Sequence, residues 1–234
     1  MSAELWLVRH GQSEGNVADD RARGARAERL ELDIRDPDVP LSLAGQEQSR
    51  ALGESWRGLA RGLRPTRVLS SPYERAYRTA VLAVQAAGWE LPVARDERLR
   101  ERDLGLLDGF TKYGIEAQFP EEAQRRARLG KFYYRPPGGE SWADVAGRVR
   151  AVLEGQSPRD GERLLIVTHQ AVLMLFRYVL EQLDERTVLE IDRVAGVANA
   201  SVTVYSGASG ELSLQSVGDV SHLDAVDAPL TADS

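Results

Sequence analysis

The chain has no cysteine. That excludes disulfides, thiolate metal sites and a cysteine nucleophile, and makes the cytoplasm the expected location. Lysine is nearly absent: Lys112 and Lys131 are the only two among 30 basic residues. The excess of arginine reads chiefly as a compositional bias, yet a few arginines in a cleft still make a local anion trap. No apolar run approaches the roughly 20 residues needed to span a bilayer, so no membrane partner is expected. The opening MSAELWLV lacks a basic region and enters an apolar stretch at once, unlike a secretory signal. A net charge of −6 lacks the cationic excess of a nucleic-acid surface, so no nucleic-acid partner is expected either.

What is present suits one large soluble domain spanning 1–234, with 42% hydrophobic and 28% charged residues. Histidine is scarce, at three residues, but two of them stand in telling places. The apolar run from Leu5 stops abruptly at Arg9-His10-Gly11, and the run Leu164–Thr168 ends at His169. An apolar run bounded by a turn reads as a buried strand. Two strands that each deliver a histidine at the carboxyl end suggest one site above one sheet. A guanidinium there fixes phosphate-like anions, and an imidazole can act as a nucleophile.

The rest of the pattern alternates strands and helices. Strands are expected at Glu4–Val8, Arg67–Ser70, Leu91–Arg95 and Leu164–Thr168, and a hairpin at Asn199–Tyr205 and Glu211–Ser216 with a Gly207–Gly210 turn. Ser42 caps a helix over Leu43–Arg61, and Ser71-Pro72 opens one running to Ala87 with proline in first position. Further helices are read at Tyr113–Arg128, broken near Pro120, at Trp142–Glu154 behind Ser141, and at Gln170–Gln182. Gln12–Arg29 begins helical and turns irregular, Leu32–Leu41 is a loop, and the acidic tail after Leu223 is expected to be mobile. The order predicts an α/β fold, a three-layer α/β/α sandwich with a mostly parallel central sheet.

The segment LVRHGQSEGN at Leu7–Asn16 resembles the signature of the histidine phosphatase superfamily, which includes phosphoglycerate mutases and many phosphatases. Further matches follow in order: LSLAGQEQS at Leu41–Ser49, SSPYERAYRTA at Ser70–Ala80, LRERDLGLLDG at Leu99–Gly109, PPGGES at Pro136–Ser141 and VTHQAV at Val167–Val172. The resemblance implies a phosphoglycerate mutase-like fold and a metal-independent reaction through a phosphohistidine. His10 is then the nucleophile, and neighbouring guanidinium charge favours its neutral form. Gly11 lets the turn pass close to a bound phosphate, and the helix beginning near Ser13 points N–H groups at the anion. Arg9 and Arg75 bind phosphate, Asn16 donates to it, Ser13 assists and Gln12 is a weaker candidate. His169 donates to the transferring phosphoryl group, and the helix beginning at Gln170 adds backbone N–H groups. Glu101 is the expected acid/base, with Asp103 and Asp108 as rivals. His222 is expected to be structural or at the rim. Glu14 lies four residues from His10, but no third metal ligand is evident, so no metal is expected.

Which reaction these residues serve depends on the surrounding loops. A mutase, with 2,3-bisphosphoglycerate as cofactor, is suggested by ERDLGLLDGFTK, where Lys112 matches a substrate lysine. Against it, Leu104 stands where mutases have tyrosine, and Gln170-Ala171 where they have glycine-asparagine. PPGGESWADV and THQAV resemble phosphatase segments, so the expectation is a phosphatase without cofactor, acting on a small phosphorylated metabolite. A non-catalytic phospho-ligand module is the third reading. A lid is expected from Val17–Pro40 and the insertion at 109–135. Neither the physiological substrate nor the oligomeric state is legible.

Overall fold

The computed structural model describes residues 2–224, 230 and 231. Strands β1 (Ala3–Arg9), β2 (Arg67–Ser70), β3 (Val93–Arg95), β4 (Arg163–Thr168), β5 (Val202–Ala208) and β6 (Glu211–Asp219) form one sheet in the order β3-β2-β4-β1-β5-β6. The first four in that order run parallel, while β5 pairs antiparallel with β1 and β6 with β5. The helices in chain order are α1 (Glu14–Gly24), α2 (Leu43–Trp56), α3 (Glu74–Ala86), α4 (Lys112–Gln118), α5 (Pro120–Tyr133), α6 (Trp142–Gln156), α7 (Gln170–Leu180), α8 (Glu185–Val194) and α9 (Ser221–Asp224).

The period-two alternation of the strands divides the core. Leu5, Leu7, Leu164 and Ile166 face α6 and α7, packing with Val145, Val149, Val172 and Phe176. Val8, Val68, Leu165 and Val167 face the other way, onto Leu52 of α2 and Ala76, Ala80 and Val84 of α3. Covering both faces explains why these strands read as continuous apolar runs. Each fully buried leucine or phenylalanine contributes roughly 1.5–3 kcal/mol. The result is the three-layer α/β/α sandwich expected.

The chain departs from neighbouring strands β1 and β4 toward opposite layers, α2 on one side and α7 on the other, so a crevice opens at their carboxyl ends. The parallel register pairs Arg9 with Thr168. His10 and His169, one residue further on each strand, therefore lie side by side.

Several local expectations need correction. Gln12–Arg29 holds a three-turn helix, fixed at its start by a reciprocal Ser13–Asn16 capping box and at its end by Arg21 and Arg23. Pro72 does not open α3. The Ser71 hydroxyl accepts from the Tyr73 N–H at 3.2 Å, an ST turn that keeps these residues extended until Glu74. Helix α2 stops at Trp56, five residues before the expected end. The hairpin strand β5 starts at Val202 because Asn199–Ser201 form a turn, with Ala200 at φ +58°. Helix α8 was not expected; Asp184 caps it by accepting from the Thr187 N–H. Of the tail, residues 225–229 and 232–234 lie outside the described residues, but Thr231 is hydrogen-bonded to Gln48 and Asn199.

Candidate active site

A cavity of about 450 Å³ at the carboxyl ends of β1 and β4 is lined by Arg9, His10, Ser13, Asn16, Arg75 and Glu101, among others. His10 is 3% exposed, and its ring centroid lies 5.1 Å from that of the fully buried His169. The His10 Nδ1 is 2.7 Å from the carbonyl of Gly11. A carbonyl only accepts, so Nδ1 carries the proton and Nε2 is left with its lone pair. Burial, then the charges of Arg75 and Arg9, push the His10 pKa well below the ordinary value. A neutral imidazole of fixed tautomer is the form that attacks.

His169 is held by Ser71, whose Oγ lies 2.8 Å from Nε2, and by the edge of the Tyr73 ring. Its Nδ1 is buried and makes no hydrogen bond among the described residues. Burial, Arg75 and His10 lower its pKa as well. Ser71 carries no motif signal of its own, because its contact with His169 joins residues 98 apart.

Glu101 is partly buried, and burial is the main cause of a pKa raised to about 7. Its Oε1 accepts from the Arg102 N–H at 2.8 Å. The loop presenting it is anchored by Glu140, which accepts from Arg148 at 2.9 Å and from Arg100 at 2.7 Å. Arg148 also donates to the carbonyls of Arg98 and Arg100. That network gives the PPGGES segment a physical purpose, which sequence reading did not supply. Of the two rival carboxylates, Asp108 lines the cavity and Asp103 is exposed, accepting from the Gly105 N–H.

The loop after β1 departs from expectation. Gly11 is not demanded by an approaching ligand: a Cβ there would sit 2.5 Å from the Gly45 carbonyl oxygen, and one on Gly45 would sit 1.9 Å from that of Gln12. The two glycines let the loop pack on the first turn of α2. Most donors at the start of α1 are likewise engaged within the chain. The N–H groups of His10, Gly11, Gln12, Ser13, Glu14 and Asn16 already donate to Thr168, Thr79, Gln48, Asn16, Pro40 and Ser13. In the first turn only the N–H of Gly15, which lines the cavity, has no partner among the described residues, so an anion would be met chiefly by side chains. The Ser13 hydroxyl is engaged by its cap. The Asn16 Oδ1 accepts from Ser13 and Asn199, so its amide nitrogen is the group by which it would donate.

Two expected residues stand elsewhere. Gln170 turns toward α8, donating to Asp192 at 3.1 Å, and is not among the cavity lining. Lys112, 84% exposed and 3.8 Å from Glu116, lines an adjoining chamber of about 720 Å³. This outer chamber is larger, but His10 lines only the inner cavity and His169 is in neither lining; the two share Asp19, Arg23, Arg102, Leu104 and Phe110. Residues of both expected lid segments line the two cavities and bond to each other, Leu30 to Gly109 and Thr111 to Ala27 and Glu28. His222 is buried on α9 against the Ala200 backbone, outside the cavity lining.

Behind the loop lies a latch that the sequence did not disclose. Asn199 donates to the His10 carbonyl at 3.1 Å, and Gln48 accepts from the Gln12 N–H at 2.8 Å. Thr231 joins the two, accepting from Gln48 and donating to Asn199, each at 2.9 Å. Thr231→Val removes both bonds, each worth about 0.5–1.5 kcal/mol. The melting temperature should fall by about 2–4 °C per kcal/mol lost, measurable by calorimetry; no change would mean that the latch carries no stability.

Residues 5–220 match the histidine phosphatase superfamily (branch 1). A 2,3-bisphosphoglycerate-dependent phosphoglycerate mutase of Methylobacterium radiotolerans is 36% identical over 216 residues, covering 88% of this chain and 94% of that protein. A probable phosphoglycerate mutase of Salmonella paratyphi C is 33% identical, with 95% of each chain covered. Among solved structures, a mycobacterial glucosyl-3-phosphoglycerate phosphatase superposes with a TM-score of 0.69 at 29% identity, covering 93% of this chain and 99% of that one.

Proposed function

The chain belongs to the histidine phosphatase superfamily, and from that membership we propose that it hydrolyses a small phosphomonoester through a phosphohistidine at His10. The observation that carries this reading is the His10 ring itself: Nδ1 is tied to the Gly11 carbonyl, and Nε2 is free to attack in a cavity lined by Arg9 and Arg75. In the first step Nε2 bonds to phosphorus while the bond to the leaving oxygen breaks, and Glu101 protonates that oxygen. Water then attacks the phosphohistidine, Glu101 takes its proton, and His10 and inorganic phosphate are released. A carboxyl with a pKa of about 7 suits both halves, since it exchanges its proton at little cost near neutrality.

Arg9, Arg75 and the Asn16 amide meet the charge of the phosphoryl oxygens. With the Ser71 hydroxyl donating to Nε2 of His169, the proton of that ring rests on Nδ1, the group left to donate to a phosphoryl oxygen. His169→Ala should lower kcat by about 10²–10³-fold, the usual cost of one preorganised donor. A loss below tenfold in steady-state kinetics would assign His169 a structural role only.

Hydrolysis is favoured over mutation by three features. Leu104, apolar, lines the cavity where mutases carry a tyrosine. Lys112 stands in the outer chamber, apart from His10. The mycobacterial phosphatase supports the same choice. A specific observation favours the second reading: the curated relatives at 33–36% identity are named as phosphoglycerate mutases. The test is phosphate release from a panel of phosphomonoesters including 3-phosphoglycerate, with and without 2,3-bisphosphoglycerate. His10-dependent release supports the phosphatase; isomerisation without release supports the mutase. The outer chamber is where the remainder of the substrate would lie.

A further inference from the structure

The Arg75 side chain, 7% exposed, is occupied from within the chain. Its Nη1 donates to the Asp36 carbonyl at 2.7 Å and pairs with the Asp36 carboxylate at 2.9 Å. Both contacts fall on one nitrogen of the guanidinium that the proposed reaction needs for the phosphoryl group. Asp36 also lines the cavity with His10 and Glu101. We propose that Asp36 is an internal competitor for Arg75, which sets how tightly the site holds inorganic phosphate and so speeds loss of the product. The proposal rests on the phosphoryl-binding reading of the site.

The segment bearing Asp36 is built to yield. It is held at one end by Leu30, which donates to the Gly109 carbonyl, and at the other by buried Val39 and Leu41, where Glu14 donates to Pro40. Between them Glu31, Asp33, Ile34 and Arg35 are exposed, and Asp36–Asp38 form one short 3-10 turn. An exposed stretch with so few backbone hydrogen bonds opens at low cost. Asp38 is different: it pairs with Arg35, and its carboxylate forms no hydrogen bond or ion pair with Arg75 among the described residues.

Two effects follow from a carboxylate in this place. In the closed state it blocks Nη1, and a ligand that binds only the open state has its affinity divided by the open fraction. Displaced but still near, it repels a dianion at the short range the cavity imposes. Its charge reaches across the cavity: after burial, it is the next cause of raised pKa values at Tyr73 and Asp108. A substrate has further contacts in the outer chamber, whereas phosphate has only the phosphoryl-binding groups. The competition therefore bears hardest on the product.

Isothermal titration of the full chain with inorganic phosphate tests this directly. If the carboxylate keeps the segment closed about nine-tenths of the time, Asp36→Asn and Asp36→Ala, which leave only the backbone carbonyl on Nη1, should each tighten the phosphate Kd by up to about tenfold. Asp38→Asn should leave it within about twofold, and thermal unfolding of each variant reports on folding. A structural defect would weaken binding, so tightening cannot arise from damage. Unchanged or weaker binding by both Asp36 variants would overturn the proposal, weaker binding meaning that Asp36 orients Arg75. If phosphate tightens but no phosphomonoester is hydrolysed, the competitor stands and the phosphatase reading falls. Absence of phosphate binding in every form would overturn both.

Discussion

Replacing His10 with alanine should lower phosphate release by at least about 10⁴-fold while the protein stays folded. The size follows from the mechanism. A missing nucleophile removes the covalent route, and the residual rate comes from the arginines and His169 orienting water alone. The fold should survive because the imidazole is neutral, its pKa held well below the ordinary value by burial and by Arg75 and Arg9, so its removal strands no charge. Its hydrogen bond to the Gly11 carbonyl is local, and the loop keeps the Thr168, Thr79 and Gln48 bonds that fix its course. A melting temperature within a few degrees of the wild type is expected, the lost packing of one buried ring being the cost. Substantial residual release by a folded His10→Ala would mean that another group attacks phosphorus.

Glu101→Gln should have the second largest effect, a loss of about 10²–10⁴-fold in kcat, with a signature in the pH profile. Glu101 must be protonated to assist the leaving oxygen, and its pKa is raised to about 7, chiefly by burial. For the wild type, kcat/KM should fall as pH rises through about 7. The low pKa of His10 keeps the nucleophile neutral on the acid side of that point. In Glu101→Gln the alkaline fall should vanish and a low, flat rate remain.

Stability should move oppositely. A carboxyl whose folded pKa is raised contributes stability that is intact below its unfolded value of 4.5 and lost as pH rises through about 7. Glutamine has no such loss, so Glu101→Gln should gain on the wild type in melting temperature between pH 4.5 and 7. Should the alkaline limb persist in this variant, Asp108 would be the acid instead, since it lines the same cavity and its pKa is also raised by burial.

The juxtaposition of His10 and His169 is legible because each histidine ends an apolar run, and the parallel register of β1 and β4 carries that coincidence into space. Arg75 and Glu101 were legible from motif spacing, and both line the cavity with His10. Motif spacing does not say which way a side chain turns: Gln170 bonds to Asp192 on a helix the sequence reading did not find, and Lys112 belongs to the outer chamber. Nor does it count hydrogen bonds: the start of α1 reads as an anion site, although among its first donors only the Gly15 N–H is left without a partner among the described residues. Asp36, Ser71, Glu140, Asn199 and Thr231 were passed over for one shared reason. Each acts through a partner between eight and 189 residues away, such as Arg148 for Glu140 and the His10 carbonyl for Asn199. Local pattern holds no trace of such pairs.

The phosphoenzyme itself is the most direct test of the account. The chain would be mixed with a ³²P-labelled phosphomonoester that it turns over, quenched within milliseconds and mapped by peptide digestion. The prediction is an acid-labile, base-stable phosphate on the peptide containing His10, and none in His10→Ala. Label on any other residue, or turnover with no phosphoenzyme even in Glu101→Gln, where its hydrolysis should be slowed, would contradict it.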